Sequence, residues 1–502
     1  MLFTDIVFPI FMLVVFVLYW LVLRRWTVAQ NVLLLASSYL FYGWWDWRFL
    51  GLIILTTLTT FLTALGARGR YGRLLTWGNI FFNLGLLFVF KYFNFFRENI
   101  QRLFDLVGIN LGWFTIDVLL PVGISFYTFQ AVAYSVDVRR GTIGANRNLL
   151  SFATFIAYFP QLVAGPIMRA SELLPQIERP RRWDSRYAVS GMRMLLIGVI
   201  KKICIADMLS VYVTGLYDAE VMTAVRVLKI GILFSLEIYF DFSGYCDIAR
   251  GVSRLLGIEL MANFRFPYFS RDVREFWQRW HISLMRWFTD YVYIPLGGNR
   301  HGMWRTICNS AIVFVLSGLW HGASWNFVLW GVYWAIVYNL WRLVFGFKRY
   351  GHDIGFDDLP RIIATMAFVF FGFFIFRCST AEQLIAGAKA VWLYAICFAL
   401  AWFVAKVMCR YAVARIAGFV VLALAVVGGI VKISAQWPVA LYYWWMVPLA
   451  VVAVIEWFTR NQDYPLERVP VRRWQRLALY VFCMMLIVIS EPIDMAFIYF
   501  QF

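Results

Sequence analysis

Two of the four histidines in this 502-residue chain lie where an imidazole is least expected. His321 stands in "SGLWHGASWNF", between the apolar runs "AIVFVL" and "VLWGVYWAIVY". Its neighbours Ser317, Gly318, Gly322, Ala323, Ser324 and Asn326 are small or polar, and small residues let a helix or a ligand approach closely. An imidazole buried in low dielectric stays neutral, which is the state a general base needs to activate a hydroxyl. A structural histidine satisfied by its surroundings accounts for the same facts. His281 lies forty residues upstream in "RWHIS". No carboxylate or cysteine joins the pair at zinc-site spacing, so no metal is expected. No serine or cysteine is tied to His321 either, which favours direct transfer between two bound substrates over a covalent intermediate. These residues alone leave the structural and catalytic readings open.

A second concentration of chemistry is "LEIYFDFSGYCDIARG". Glu237 and Asp241 are i, i+4 and share a helical face; Asp247 follows, after Ser243, Gly244 and Tyr245 interrupt the apolar run. Ionisable groups at membrane depth face a bundle interior or an aqueous cavity. The three carboxylates could form a proton or cation route, a cavity wall, or a structural network with Arg250 and Arg254. A transporter is therefore a rival to an enzyme. Two further stretches, "LPVGISFYTFQ" and "FIAYFPQLVAGPIMR", put Pro, Gly, Gln130 and Gln161 inside apolar sequence. Backbone groups freed by helix breaks are tolerable in lipid only against protein or a water-filled cavity. Candidate cavity-lining residues are thus Gln130, Gln161, Asp241, Ser243, Tyr245, Asp247, Trp320 and Asn326.

The elements that must position these groups are helices in a membrane. The chain is 62% hydrophobic and 15% charged, with a mean hydropathy of +0.70; a water-soluble protein carries about 25% charged residues. Apolar runs include Ile6–Leu23, Gly51–Leu65, Gly78–Phe90, Ala188–Ile200, Ile230–Phe240, Ala311–Tyr338, Ile362–Phe376, Ala390–Val407, Ile416–Ile430, Val439–Trp457 and Leu477–Ile489. With shorter runs they predict an all-α polytopic membrane protein of roughly 11–13 transmembrane or re-entrant helices. The first run has no basic flank before it and no small-residue cleavage site, so it reads as a retained span.

The net charge of +18 comes largely from arginines clustered in short loops, at Arg24-Arg25, Arg68–Arg73, Arg139-Arg140 and Arg179–Arg186. The positive-inside bias makes these loops cytoplasmic and the N-terminus periplasmic. Membrane lipids are the expected partners of this charge, not nucleic acid. Seven scattered cysteines with no CxxC pair read as free, buried thiols. P-loop, dinucleotide-binding and nucleophile-elbow motifs are absent. The segment "RDVREFWQRWHISLMRWFTDYVYI" puts Phe276, Trp277, Trp280, His281, Leu284, Trp287, Phe288 and Tyr291 on one helical face. Arg271, Glu275 and Arg279 flank them at i, i+4. One basic, Trp-rich amphipathic helix at the membrane interface is the expectation.

Taken with "SSYLFYGWWD", "NFRFPYFSRDVREFWQRWHISLMRWFTDYVYIPLGGNR" and the terminal "FIYFQF", these stretches resemble the membrane-bound O-acyltransferases, in particular the bacterial AlgI-like branch that O-acetylates alginate. The resemblance runs from Ser37 to Phe502 and implies one transmembrane domain over 1–502, with helices around a central tunnel. Its core motifs lie at about 120–345 and a helical extension at about 360–502. It places the family's near-invariant histidine on His321 and the second motif position on His281. His321 would then be the base for an acceptor hydroxyl attacking an acyl thioester. His281 would orient the donor or stabilise charge on the carbonyl oxygen. The implied donor is acetyl-CoA from the cytoplasm, with no permanently bound cofactor; Arg279 and Arg300 are candidates for its phosphates. The implied acceptor is an exopolysaccharide or other cell-surface glycan outside the bacterial cytoplasmic (inner) membrane, reached through a periplasmic SGNH-type partner. D-alanyl transfer to teichoic-acid-type acceptors is the nearest alternative. Chains of that type usually lack the hydrophobic extension at Ala390–Trp457.

Overall fold

A computed structural model describes residues 1–112, 120–218, 222–408, 445–462, 464, 466–467, 472–490 and 497–498. Every regular element among them is helical. Among the described residues, six stretches are long and apolar enough to cross a bilayer: Thr27–Leu65, Gly72–Asp105, Gly302–His321, Trp325–Val344, Phe356–Arg377 and Ala381–Phe403. Val7–Val22 and Met446–Thr459 are shorter apolar helices. The chain is an all-α polytopic membrane protein. The expected 11–13 included re-entrant segments, and other described helices are too charged to count as spans, like Ala224–Leu255, or too short, like Leu149–Ala157. The expected span Ile416–Ile430, the first part of Val439–Trp457, and Cys409 lie outside the described residues. Of the other cysteines, Cys308 is exposed and Cys397 intermediate, so not all are buried as expected.

The 32-residue helix Ala224–Leu255 is central. It runs unbroken through Ser243, Gly244 and Tyr245, contrary to the interruption read from sequence. The reason lies in the helix packed against it, Ser185–Val199. A Cβ on Gly244 would sit 2.9 Å from the Gly198 carbonyl oxygen, and one on Gly251 would sit 2.7 Å from that of Gly191. The glycines are spaced seven apart on both helices and face one another, letting the two backbones touch. Gly244 is thus a packing residue. Gly244→Val is expected to cost about 1–3 kcal/mol through overpacking. The check is yield of monodisperse protein in detergent, with Gly78→Ala as control, since a Cβ at Gly78 meets nothing within 4 Å.

The expected single helix across 271–294 is instead two short ones, Val273–Arg279 and Ile282–Phe288, followed by a π turn at Thr289–Tyr293. It is not a peripheral anchor either. Phe276, Trp277, Trp280, Leu284 and Phe288 are all buried in the bundle core, where Trp277 packs edge-on against Trp334 at 4.9 Å. The flanking Arg271, Glu275 and Arg279 do pair as expected, with Glu275 bonded to both arginines at 2.8–2.9 Å.

Candidate functional site

The break between those short helices is His281, held at φ 44° in the left-handed region, which a non-glycine residue adopts only when its surroundings enforce it. Asn263 is what enforces it. Its carbonyl accepts from Ile282 N–H at 2.9 Å. Its side-chain Oδ1 accepts from Ser283 N–H at 3.1 Å and Ser283 Oγ–H at 2.8 Å. The same Oδ1 lies 3.2 Å from His281 Nδ1. Because a backbone N–H can only donate, the oxygen of Asn263 faces His281, and Nδ1 must carry the ring proton. Nε2 then bears the lone pair. A neutral ring of this tautomer suits orienting a hydroxyl better than stabilising an oxyanion, one of the two roles the resemblance implies, the other being to orient the donor. Ile167 N–H donates to Ser283 Oγ at 3.0 Å, and Asn263 Nδ2 donates to Cys246 Sγ at 3.5 Å. Three stretches quoted from the sequence are thereby knitted together around one imidazole.

Burial lowers the His281 imidazole to about 3. Its neutral form therefore persists well below the ordinary histidine range, and its protonation cannot set an acid limb near 6.5. Between about pH 5 and 8 the rate of acyl transfer should show no inflection that His281 causes. A pH–rate profile tests this: an inflection between 6 and 7 that vanishes in His281→Asn would contradict it.

His321 is the last residue of the helix Gly302–His321. Its ring meets Trp320 at 4.9 Å, Phe376 at 5.1 Å and Trp330 at 5.3 Å between centroids, all edge-on. Trp320 also meets His281, at 5.7 Å, so one indole lies against both imidazoles. Phe126 and Phe129, from "LPVGISFYTFQ", pack on its other edges at 5.4 and 5.7 Å. Glycine makes the next turn possible. A Cβ at Gly322 would fall 2.2 Å from the Phe327 ring, and one at Gly318 would fall 2.2 Å from the Phe327 carbonyl oxygen. Asn326 Nδ2 donates to the Phe376 carbonyl at 2.7 Å, fixing the residue whose ring covers His321.

The remaining expected residues divide. Gln130 is buried beside Phe129, while Gln161 donates to the Phe155 carbonyl at 2.7 Å across a helix break, a local structural bond. Tyr245 lies between the rings of Phe3 and Phe497. Asp241 and Asp247 do not pair with Arg250 and Arg254, which bind Glu259 instead. Lys202 bridges Asp241 and Asp207 at 2.7 Å each, and Lys201 bridges Asp247 at 3.0 Å and Glu456 at 2.8 Å. Both lysines come from the π-helix Ile200–Ala206. Ser243 and Asp247 line a small, partly open cleft with Lys201, Tyr239, Arg250 and Glu456. Arg279 is engaged by Glu275, and Arg300 is exposed on a loop. Sequence reasoning missed Asn263, Lys201, Lys202 and Glu456. Adjacent lysines at the end of "LLIGVI" were the available sign, since intramembrane charge needs a partner.

Residues 144–379 match the model of MBOAT, the membrane-bound O-acyltransferase family. The chain is 35% identical over 402 residues to a probable alginate O-acetylase AlgI of Azotobacter vinelandii, covering 76% of each chain. It is 31% identical to a peptidoglycan O-acetyltransferase of Helicobacter pylori, covering 71% of this chain and 73% of the relative. Similarity to a teichoic acid D-alanyltransferase of Bacillus subtilis is 29% identity over 51% of this chain and 68% of the relative.

Proposed function

The chain belongs to the membrane-bound O-acyltransferase family and is an acyltransferase, and from that premise we propose that it acetylates a cell-surface glycan such as alginate, using His321 as base. The observation that carries this reading is the shared indole. Trp320 brings both imidazoles to one buried place, knitted from the stretches that resemble the family. The acyl donor is acetyl-CoA, presented from the cytoplasmic side of a bacterial inner membrane, with the N-terminus periplasmic. His321 takes the proton of an acceptor hydroxyl as its oxygen attacks the thioester carbon. The C–O bond forms, the C–S bond breaks, and the proton passes to the departing thiolate. His281, a lone-pair acceptor at Nε2, orients the hydroxyl. The acceptor stands on the periplasmic side, either the glycan itself or an SGNH-type partner that passes the acetyl group on. Arg300, exposed, remains a candidate for the donor's phosphates; Arg279 is the weaker one because Glu275 holds it.

The test is chemical analysis of the purified surface polymer from cells with and without this chain. Loss of ester-linked acetate is expected, with ester-linked D-alanine unchanged. Loss of D-alanine instead selects transfer to a teichoic-acid-type acceptor, and no change in either ester sinks the reading.

A further inference from the structure

The helix Gly302–His321 ends without the usual left-handed glycine cap: Gly322 is extended, at φ −168°. The last carbonyls of any helix lack partners within it and must find them elsewhere. Here they come from a distant helix. Lys91 Nζ donates to the carbonyls of Trp320 and His321, both at 2.8 Å. Tyr92 Oη donates to the Leu319 carbonyl, also at 2.8 Å. Three consecutive carbonyls at the end of the helix are therefore held by two consecutive side chains.

Both side chains sit on the π turn Phe88–Tyr92, inside the apolar stretch Gly72–Asp105. A π turn widens the helix by one residue and re-aims what it carries, a feature common near functional sites. A lysine within an apolar span is costly unless it meets opposite charge or backbone carbonyls. The negative end of a helix dipole is also where a cation is favoured. Two turns beyond, Asn99 Oδ1 accepts from Trp325 Nε1 at 2.8 Å. The segment Phe88–Asn99 thus grips the Gly322–Ser324 turn from both sides.

We propose that Lys91 and Tyr92 are positioning residues for acyl transfer: they fix the end of the Gly302–His321 helix and so aim His321 and Trp320. The proposal rests on the reading of His321 as base. Neither side chain need touch substrate. Releasing the carbonyls lets the terminal turn fray, and small misplacements of a reacting group are costly in rate without weakening donor binding.

The experiment uses the full chain in liposomes enclosing an alginate oligosaccharide as hydroxyl acceptor, with thiol release from external acetyl-CoA as the readout, normalised to monodisperse protein. Lys91→Met, Lys91→Arg, Tyr92→Phe and His321→Ala are compared. Lys91→Met should lower kcat by about 10- to 100-fold with KM for acetyl-CoA within about twofold of wild type. Lys91→Arg, which can reach both carbonyls, should restore most of the rate, and Tyr92→Phe should show a smaller loss of kcat. Wild-type kcat in Lys91→Met while His321→Ala is inactive overturns the positioning role alone. Activity in His321→Ala overturns the base reading and this proposal with it. Should Lys91→Met fail to fold, Tyr92→Phe with unchanged kcat overturns the proposal by itself.

Discussion

His321→Ala is expected to reduce acetyl transfer by about 10²- to 10⁴-fold, the usual contribution of a positioned general base, while protein reaches the membrane in normal amount. The backbone of residue 321 keeps its bond to Lys91, because that bond uses the carbonyl. What disappears is the ring between Trp320, Trp330 and Phe376. The cavity left there could loosen the aromatic packing, so His321→Gln serves as a second variant that retains volume without an imidazole. Both should be inactive, and acetate on the surface polymer is the measurement. Wild-type acetylation in either one, at equal protein level, removes His321 from the chemistry.

Lys202→Met is expected to have the largest effect on folding. Lys202 is buried and bridges Asp207 and Asp241, each at 2.7 Å. Removing one partner of a buried ion pair costs about 3–5 kcal/mol, because uncompensated charge stays behind. That is a large part of the roughly 5–15 kcal/mol that keeps a typical domain folded. Loss of monodisperse protein on size-exclusion chromatography is the expected result. Adding Asp207→Asn and Asp241→Asn should restore much of it, since neutral amides need no counter-ion. Asp241→Asn alone should be milder than His321→Ala in activity, as an amide oxygen can still accept the Ile498 N–H that Asp241 Oδ2 accepts at 2.7 Å. Normal yield of Lys202→Met would mean that the network does not support the fold.

Composition and apolar runs were sufficient to identify a helical membrane protein, because a span in lipid must be both apolar and internally hydrogen-bonded. The two histidines also stood out, since ionisable groups are rare at that depth. Periodicity failed at 271–294. Aromatic residues at helical spacing do occupy one buried face, but Asn263 draws Ile282 and Ser283 to itself and turns the chain at His281. A local pattern cannot register bonds to a residue nineteen and twenty positions away. Of the alternatives left open for the carboxylates of the central helix, the pairing with Arg250 and Arg254 is corrected for a similar reason. Asp241 and Asp247 lie near Arg250 and Arg254 in sequence, yet glycine-mediated contact with the Ser185–Val199 helix brings Lys201 and Lys202 against them first.

By itself, the sequence determined the solvent, the helical class and which imidazole was out of place, because each follows from the transfer of side chains between water and lipid. Tertiary structure alone decided which indole the two histidines share, which tautomer Asn263 imposes on His281, and that Lys91 and Tyr92 hold the helix end carrying His321. The first depends on ring packing and the others on hydrogen bonds with direction and a range of about 3 Å, between residues as much as 230 positions apart, and no pattern along the chain encodes them.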